Sequence, residues 1–152
     1  MTAVRRRLVL ITPVRIGLGL ALLGVALGGD APARSVVLAF LVGAVFMALA
    51  ALADRRALLL RPPREPEPLP SDSVTAADWR IALEAALPST VGVSVLAAVA
   101  LAAGNEVLGA LLGGSVAGMG IASAVSLVPL LAWERERGKR LYAVRGGRRF
   151  VA

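Results

Sequence analysis

The sequence predicts an all-α membrane protein with four transmembrane helices arranged as two hairpins. Four long stretches of the 152-residue chain are almost entirely apolar, and most basic residues lie just outside them. A transmembrane helix needs about 20 mostly apolar residues, because the hydrocarbon core of a bilayer is about 30 Å thick. A helix that is apolar on every face is embedded in lipid or fully buried, and a chain of this length cannot bury four such helices.

The apolar stretches give approximate bounds for the spans. They are expected at about residues 8–28, 36–53, 85–104 and 107–133. The last stretch is long for a bilayer, so we expect it to tilt or to leave its Pro129 end in the interface. The first two spans make residues 1–53 a hairpin that starts and ends on the same side of the membrane, in an in-out-in arrangement.

Other segments lie between and after the hairpins. Residues 54–75 form a proline-rich linker that should be extended, and residues 134–152 form a basic tail. Thr75 resembles a helix N-cap, and Trp79 suits the head-group level of a membrane. We therefore expect a short interfacial helix before the third span, so that residues 76–133 comprise this helix and the second hairpin.

The distribution of positive charge predicts the orientation. Of the 17 Lys and Arg residues, all but Arg15 and Arg34 fall in the terminal segments or between the second and third predicted spans. Lys and Arg in short loops mark the cytoplasmic side. We therefore expect a multi-pass protein of the cell membrane, with both termini in the cytoplasm. The preference for arginine over lysine suggests a high-GC bacterial genome, and hence a bacterial inner membrane.

One alternative concerns the amino-terminal segment. Its arginine run, the apolar stretch and the small residues near Ala33 resemble a secretory signal peptide with its cleavage site. The apolar stretch is long for a signal peptide, so we favour a retained first span. Processing of residues 1–33 is left open, and it would not change the orientation of the later spans.

Composition argues against several classes of function. The chain has no cysteine and no histidine, so disulfides, thiolate or imidazole catalysis and the usual zinc or haem ligands are not expected. Its acidic residues are interspersed with arginine or proline, so we expect neither an enzyme nor a cofactor. The net charge of +7 could suit nucleic acid. However, the aromatic residues that stack on single strands are missing, and anionic head groups at the cytoplasmic face are the simpler partner.

Small residues mark the expected helix-packing faces. Membrane helices associate through close contact, which small side chains permit. The candidate packing residues lie in the first and last spans, at Gly17, Gly24, Gly109, Gly113, Gly114, Gly118 and Gly120. Two interpretations stay open: these faces serve only packing within the bundle, or they also dock another subunit.

Arg15 is the one ionisable residue expected inside a span. Such a residue is a candidate contact for an anionic lipid or ligand. Its long side chain can also extend to the head groups, and we favour this interpretation because the spans contain no acid to pair with it.

Two classes of function remain. The first is a non-catalytic membrane subunit or accessory protein that packs against partner helices, either of another membrane protein or of a second copy. The alternative is a small homo-oligomeric transporter or channel with a pore between copies. Proton-coupled transport is disfavoured, because the spans hold no Asp, Glu or His.

Overall fold

The computed structural model describes residues 2–59, 67–68, 87–138, 141–143 and 149–151. The described helices are α1 (Val4–Leu27), α2 (Ala33–Leu59), α3 (Gly92–Ala102) and α4 (Glu106–Arg137). A π-helical turn, Leu87–Val91, runs directly into α3. Three segments are long and apolar enough to cross a membrane, namely Leu8–Leu27, Ala33–Ala53 and Glu106–Arg137. The described chain is therefore mainly helical, with three candidate membrane-spanning helices, as in a multi-pass membrane protein.

The structure describes part of the third predicted span. The described apolar helix, Ser89–Ala102, comprises about 14 residues and reaches about 21 Å at 1.5 Å per residue. Residues 85 and 86 of the predicted span, and the interfacial helix expected from residue 76, lie outside the described residues.

The other helices extend beyond their expected ends. Helix α2 continues past the change of composition at Asp54 and ends at Leu59. Its last residues are arginine, alanine and leucine, which favour helix wherever they lie relative to the membrane. Helix α4 passes through Pro129 and ends only at Gly138, whose positive φ of 60° makes it a left-handed C-cap. The first residues of the predicted linker and of the predicted tail are therefore helical.

Helix α4 occupies the centre of the bundle. It packs against both α1 and α2 along their lengths and against α3, whereas α1 and α2 make few contacts with each other. The core between α1, α2 and α4 is built from small and medium apolar side chains, among them Ala26, Val36, Phe40, Ala110 and Ala117. The first hairpin is thus held together mainly through α4, which lies between its two helices.

A small sheet lies at one end of the bundle. Its strands are β1 (Thr2–Ala3), β2 (Glu67–Pro68), β3 (Leu141–Ala143) and β4 (Arg149–Val151), in the order β1-β3-β4-β2. The pairs β1–β3 and β3–β4 are antiparallel, and β2–β4 is parallel. Proline fits β2 because this is an edge strand. The start of the chain, its linker and its tail therefore meet at the same end of the protein.

The sheet was not predicted, although the tail contains a signal for it. Two short runs with aromatic or β-branched residues flank Gly146 and Gly147, a pattern typical of a β-hairpin. We interpreted the tail from its charge alone. Pairing with β1 and β2 involves residues far apart in the sequence, and the local pattern does not reveal it.

A tight turn joins α3 to α4. Gly104 has a φ of 72° and ends the preceding helix in the left-handed conformation expected of it. Asn105 was expected to share that conformation, but its φ is −108° and it caps α4 instead. Its Oδ1 accepts a hydrogen bond of 3.1 Å from the backbone N–H of Leu108.

Replacement of the N-cap residue Asn105 should lower the stability of the protein modestly. We expect Asn105→Ala to lower the free energy of unfolding by about 1 kcal/mol, because the Leu108 N–H loses its side-chain acceptor. Thermal unfolding in mild detergent measures the effect. Asn105→Asp is the control, since a carboxylate also caps a helix; a loss as large as that of alanine would contradict the capping role.

Candidate functional site

The candidate site is a cluster of buried polar side chains where three helical segments meet. Arg15 of α1 donates from Nε to Thr90 Oγ1 at 2.9 Å and from Nη1 to Ser123 Oγ at 3.4 Å. Thr90 lies in the π-helical turn and Ser123 in α4. The exposed fractions of Arg15, Thr90 and Ser123 are 8%, 3% and 0%. One permanently charged group is thus enclosed among hydroxyl groups of two other segments.

The structure corrects our favoured interpretation of Arg15. A side chain that extends to the head groups would be exposed, whereas this one lies inside the bundle. Arg15 and Ser123 also make interactions beyond the two hydrogen bonds given above. Burial of a guanidinium is tolerated when its N–H groups find acceptors, and the hydroxyl groups supply them. Contact of Arg15 with an anionic ligand stays a prediction.

The close approach of α1 to α4 positions the arginine. A Cβ atom at Gly120 would lie 2.8 Å from Ile16 Cγ1 and 3.1 Å from Arg15 Cβ. Ser123 follows Gly120 by three residues and therefore shares its face of α4. The glycine thus lets the backbone of α1 come near enough for Arg15 to reach Ser123.

Local hydrogen bonds from serine hydroxyls to backbone carbonyls surround the cluster. Ser123 Oγ donates to Met119 O at 2.8 Å and accepts from Arg15 through a lone pair. Ser94 Oγ donates to the backbone carbonyl of Thr90 at 2.7 Å, one turn back along its own segment. Such bonds to a preceding carbonyl often bend helices. The second lies beside a π-helical turn, a rare conformation that is frequent at functional sites.

Two other serines of α4 donate to the backbone of their own helix. Ser115 Oγ donates to Leu111 O at 3.0 Å, and Ser126 Oγ donates to Ala122 O at 2.6 Å. Both hydroxyl groups therefore bond to their own helix, which is the commoner use of serine in membrane helices. Among the described residues, no three acidic side chains come together as a metal site would require.

The predicted packing glycines of α4 contact three different elements. A Cβ at Gly114 or Gly118 would collide with the backbone carbonyl of Phe40 or of Ala44 in α2. At Gly113 it would lie 2.9 Å from Leu22 Cβ in α1. Gly120 faces α1 as described above, and Gly109 faces Leu101 of α3. The five predicted packing glycines of α4 thus all pack against other helices of the protein.

The first helix differs from expectation. Among the described residues, a Cβ at Gly17 or Gly24 would meet nothing within 4 Å, and both glycines are exposed. The stripe of small residues that contains Gly17 and Gly24 therefore faces away from the described part of the bundle. Gly19 packs instead, since its Cβ would lie 2.7 Å from Gly113 O and 2.8 Å from Ala117 Cβ. Spacing within one helix shows that a small-residue face exists, but not which neighbouring helix uses it.

Comparisons with protein-family models, with curated proteins and with solved structures find no match for this chain.

Proposed function

We propose that the protein is a non-catalytic membrane subunit or accessory protein that packs against the helices of a partner through the outer face of α1. The observation that carries the proposal is the open stripe at Gly17 and Gly24. The glycines of α4 pack against other helices of the protein, whereas Gly17 and Gly24 meet nothing within 4 Å among the residues that the structure describes. Small residues let a second helix approach closely, which drives helix association in lipid.

The proposed topology has four spans, with both termini and the linker in the cytoplasm. The meeting of β1, β2, β3 and β4 in one sheet supports it, because the segments that carry them must then lie on the same side. The basic residues in these segments favour the cytoplasmic side and attract anionic head groups. The third span would consist of Ser89–Ala102 with residues that precede it.

Topology reporters test this arrangement. Fusions of a reporter active only in the cytoplasm should give signal at both termini. A single cysteine at Asp30, in the exposed connection between α1 and α2, should react with an impermeant maleimide added from outside. A cysteine at exposed Arg137 is the control and should stay unlabelled in intact cells. Reporter signal at only one terminus would exclude an even number of spans.

Native mass spectrometry of gently extracted protein tests the partner contact. We expect wild type to copurify with a stoichiometric membrane partner and Gly24→Leu to lose it, because the added side chain fills the open stripe. The variant should keep the wild-type unfolding temperature, since nothing lies within 4 Å of a Cβ at this position. Phe46→Leu, on the exposed face of α2, is the control and should keep the partner. A Gly24→Leu protein that retains full partner occupancy would argue against docking through α1.

The buried cluster at Arg15 favours a second candidate, a small homo-oligomeric transporter or channel. Polar groups inside membrane bundles often mark the path of a solute or ion. Here the path would involve Arg15, Thr90 and Ser123, with copies of the chain around it. Solute or ion flux into vesicles that contain only the purified protein would support this candidate over the accessory role.

A further inference from the structure

The cluster at Arg15 lies where the third apolar segment enters the described bundle. Arg15 is about seven residues, or roughly 10 Å, inside the apolar stretch that begins at Leu8. From Arg15 to Leu27 and from Thr90 to Ala102 the distance is the same, about 18 Å along a helix. The π-helical turn and α3 therefore extend from the depth of Arg15 to the opposite end of the bundle.

The positions of the C-terminal ends of α1 and α3 support this alignment. The connection after α1 and the turn before α4 lie together, where the Asp30 N–H donates to Glu106 Oε1 at 3.4 Å. Helix α3 thus ends at the level at which α1 ends. Its packing against the bundle is mainly on α4.

We propose that Arg15 is a clamp that holds the start of the third apolar segment in the bundle, through its hydrogen bonds to Thr90 and Ser123. Arg15 joins two segments that are far apart in sequence, since 75 residues separate it from Thr90 and 108 from Ser123. A charged donor makes both hydrogen bonds stronger than bonds between neutral groups. In lipid no water can replace a lost acceptor.

The clamp compensates for a weakness of the third segment. The described part of the segment begins with a π-helical turn that contains Pro88, which has no N–H to donate. A hydrogen bond from α1 to Thr90 fixes this turn from outside its own helix. Loss of the bond should therefore detach α3 from α4 while α1, α2 and α4 stay packed.

Cysteine reactivity in the purified full-length protein tests the clamp. The chain has no native cysteine, so one introduced thiol reports on one position. Ala97 of α3 is fully buried, whereas the neighbouring Leu96 is 60% exposed. We expect Thr90→Val to raise the rate of alkylation of Ala97→Cys in mild detergent by about tenfold. The rate at Leu96→Cys should change by less than about twofold, because that side chain is already exposed.

Thr12→Val is the matched control for the lost hydroxyl. Thr12 Oγ1 donates to Leu8 O at 2.8 Å within α1, so its loss should leave both reporters at their basal rates. Thr90→Ser should restore the protection of Ala97→Cys. Should Ala97→Cys itself fail to fold, Ala100→Cys, buried on the same helix, replaces it as reporter. A Thr90→Val effect no larger than that of Thr12→Val, or equal acceleration at both reporters, would overturn the proposal.

Discussion

Gly118→Leu is expected to prevent the bundle from folding. A Cβ at this position would collide with the backbone carbonyl of Ala44, so no rotation of a neighbouring side chain relieves the clash. Overpacking of a core typically costs about 1–3 kcal/mol, and a backbone clash at the centre of a bundle should exceed that range. Helices α2 and α4 would have to separate along their length. The measurement is the yield of monodisperse protein in mild detergent, followed by thermal unfolding of what remains.

Gly17→Leu is the matched control for Gly118→Leu. It adds the same side chain to a helical glycine, but a Cβ there meets nothing within 4 Å. We expect its yield and unfolding temperature to equal those of wild type in detergent. Leucine has a higher helix propensity than glycine, so an equal loss of the folded state in both variants would contradict the assignment of the effect to the contact of α4 with α2.

The second large effect concerns Thr90→Val with Arg15 in place. Valine has the shape of threonine but accepts no hydrogen bond, so the buried guanidinium loses its acceptor at Nε. Hydrogen bonds to charged groups contribute about 1.5–3 kcal/mol, and an acceptor lost in a buried site is not replaced by water. We expect the free energy of unfolding to fall by about that amount. Unfolding by a denaturing detergent, followed by circular dichroism, measures the loss.

The loss of stability caused by Thr90→Val should depend on the positive charge of Arg15. In an Arg15→Met background no guanidinium remains to be satisfied, and the introduced valine then packs against an apolar methionine side chain without penalty. Thr90→Val should then cost less than about 0.5 kcal/mol. A double-mutant cycle between the two positions gives the coupling free energy. A cost of Thr90→Val that stayed the same in both backgrounds would show that the hydroxyl acts independently of Arg15.

The spans were predictable where length and apolar composition decide the structure. The apolar stretches of α1, α2 and α4 are long, and Gly104 favours a tight turn before α4. The third span was harder, because composition shows that residues 85–104 are apolar but not that Thr90 sits in a π-helical turn. Thr90 in that turn accepts a hydrogen bond from Arg15, which is 75 residues away in sequence.

Pairings between distant residues account for what the sequence did not reveal. The contact of Gly19 with Gly113 and the burial of Arg15 both follow from how α1 lies against α4. A single sequence shows which faces are small or polar, but several rotations of a helix satisfy the same pattern. We placed Arg15 near lipid head groups because no acid was expected beside it. Among the described residues, the hydroxyl groups of Thr90 and Ser123 accept hydrogen bonds from Arg15 inside the bundle.

The four-stranded sheet has a consequence for the order of events during synthesis. Strand β1 is the first described part of the chain to leave the ribosome, yet it pairs with β3, which follows the four described helices in the sequence. Strand β2 likewise pairs with β4, which comes later still. Neither early strand can find its neighbour until the segment after α4 has been translated. The helices thus insert into the membrane first, and the sheet forms late in folding.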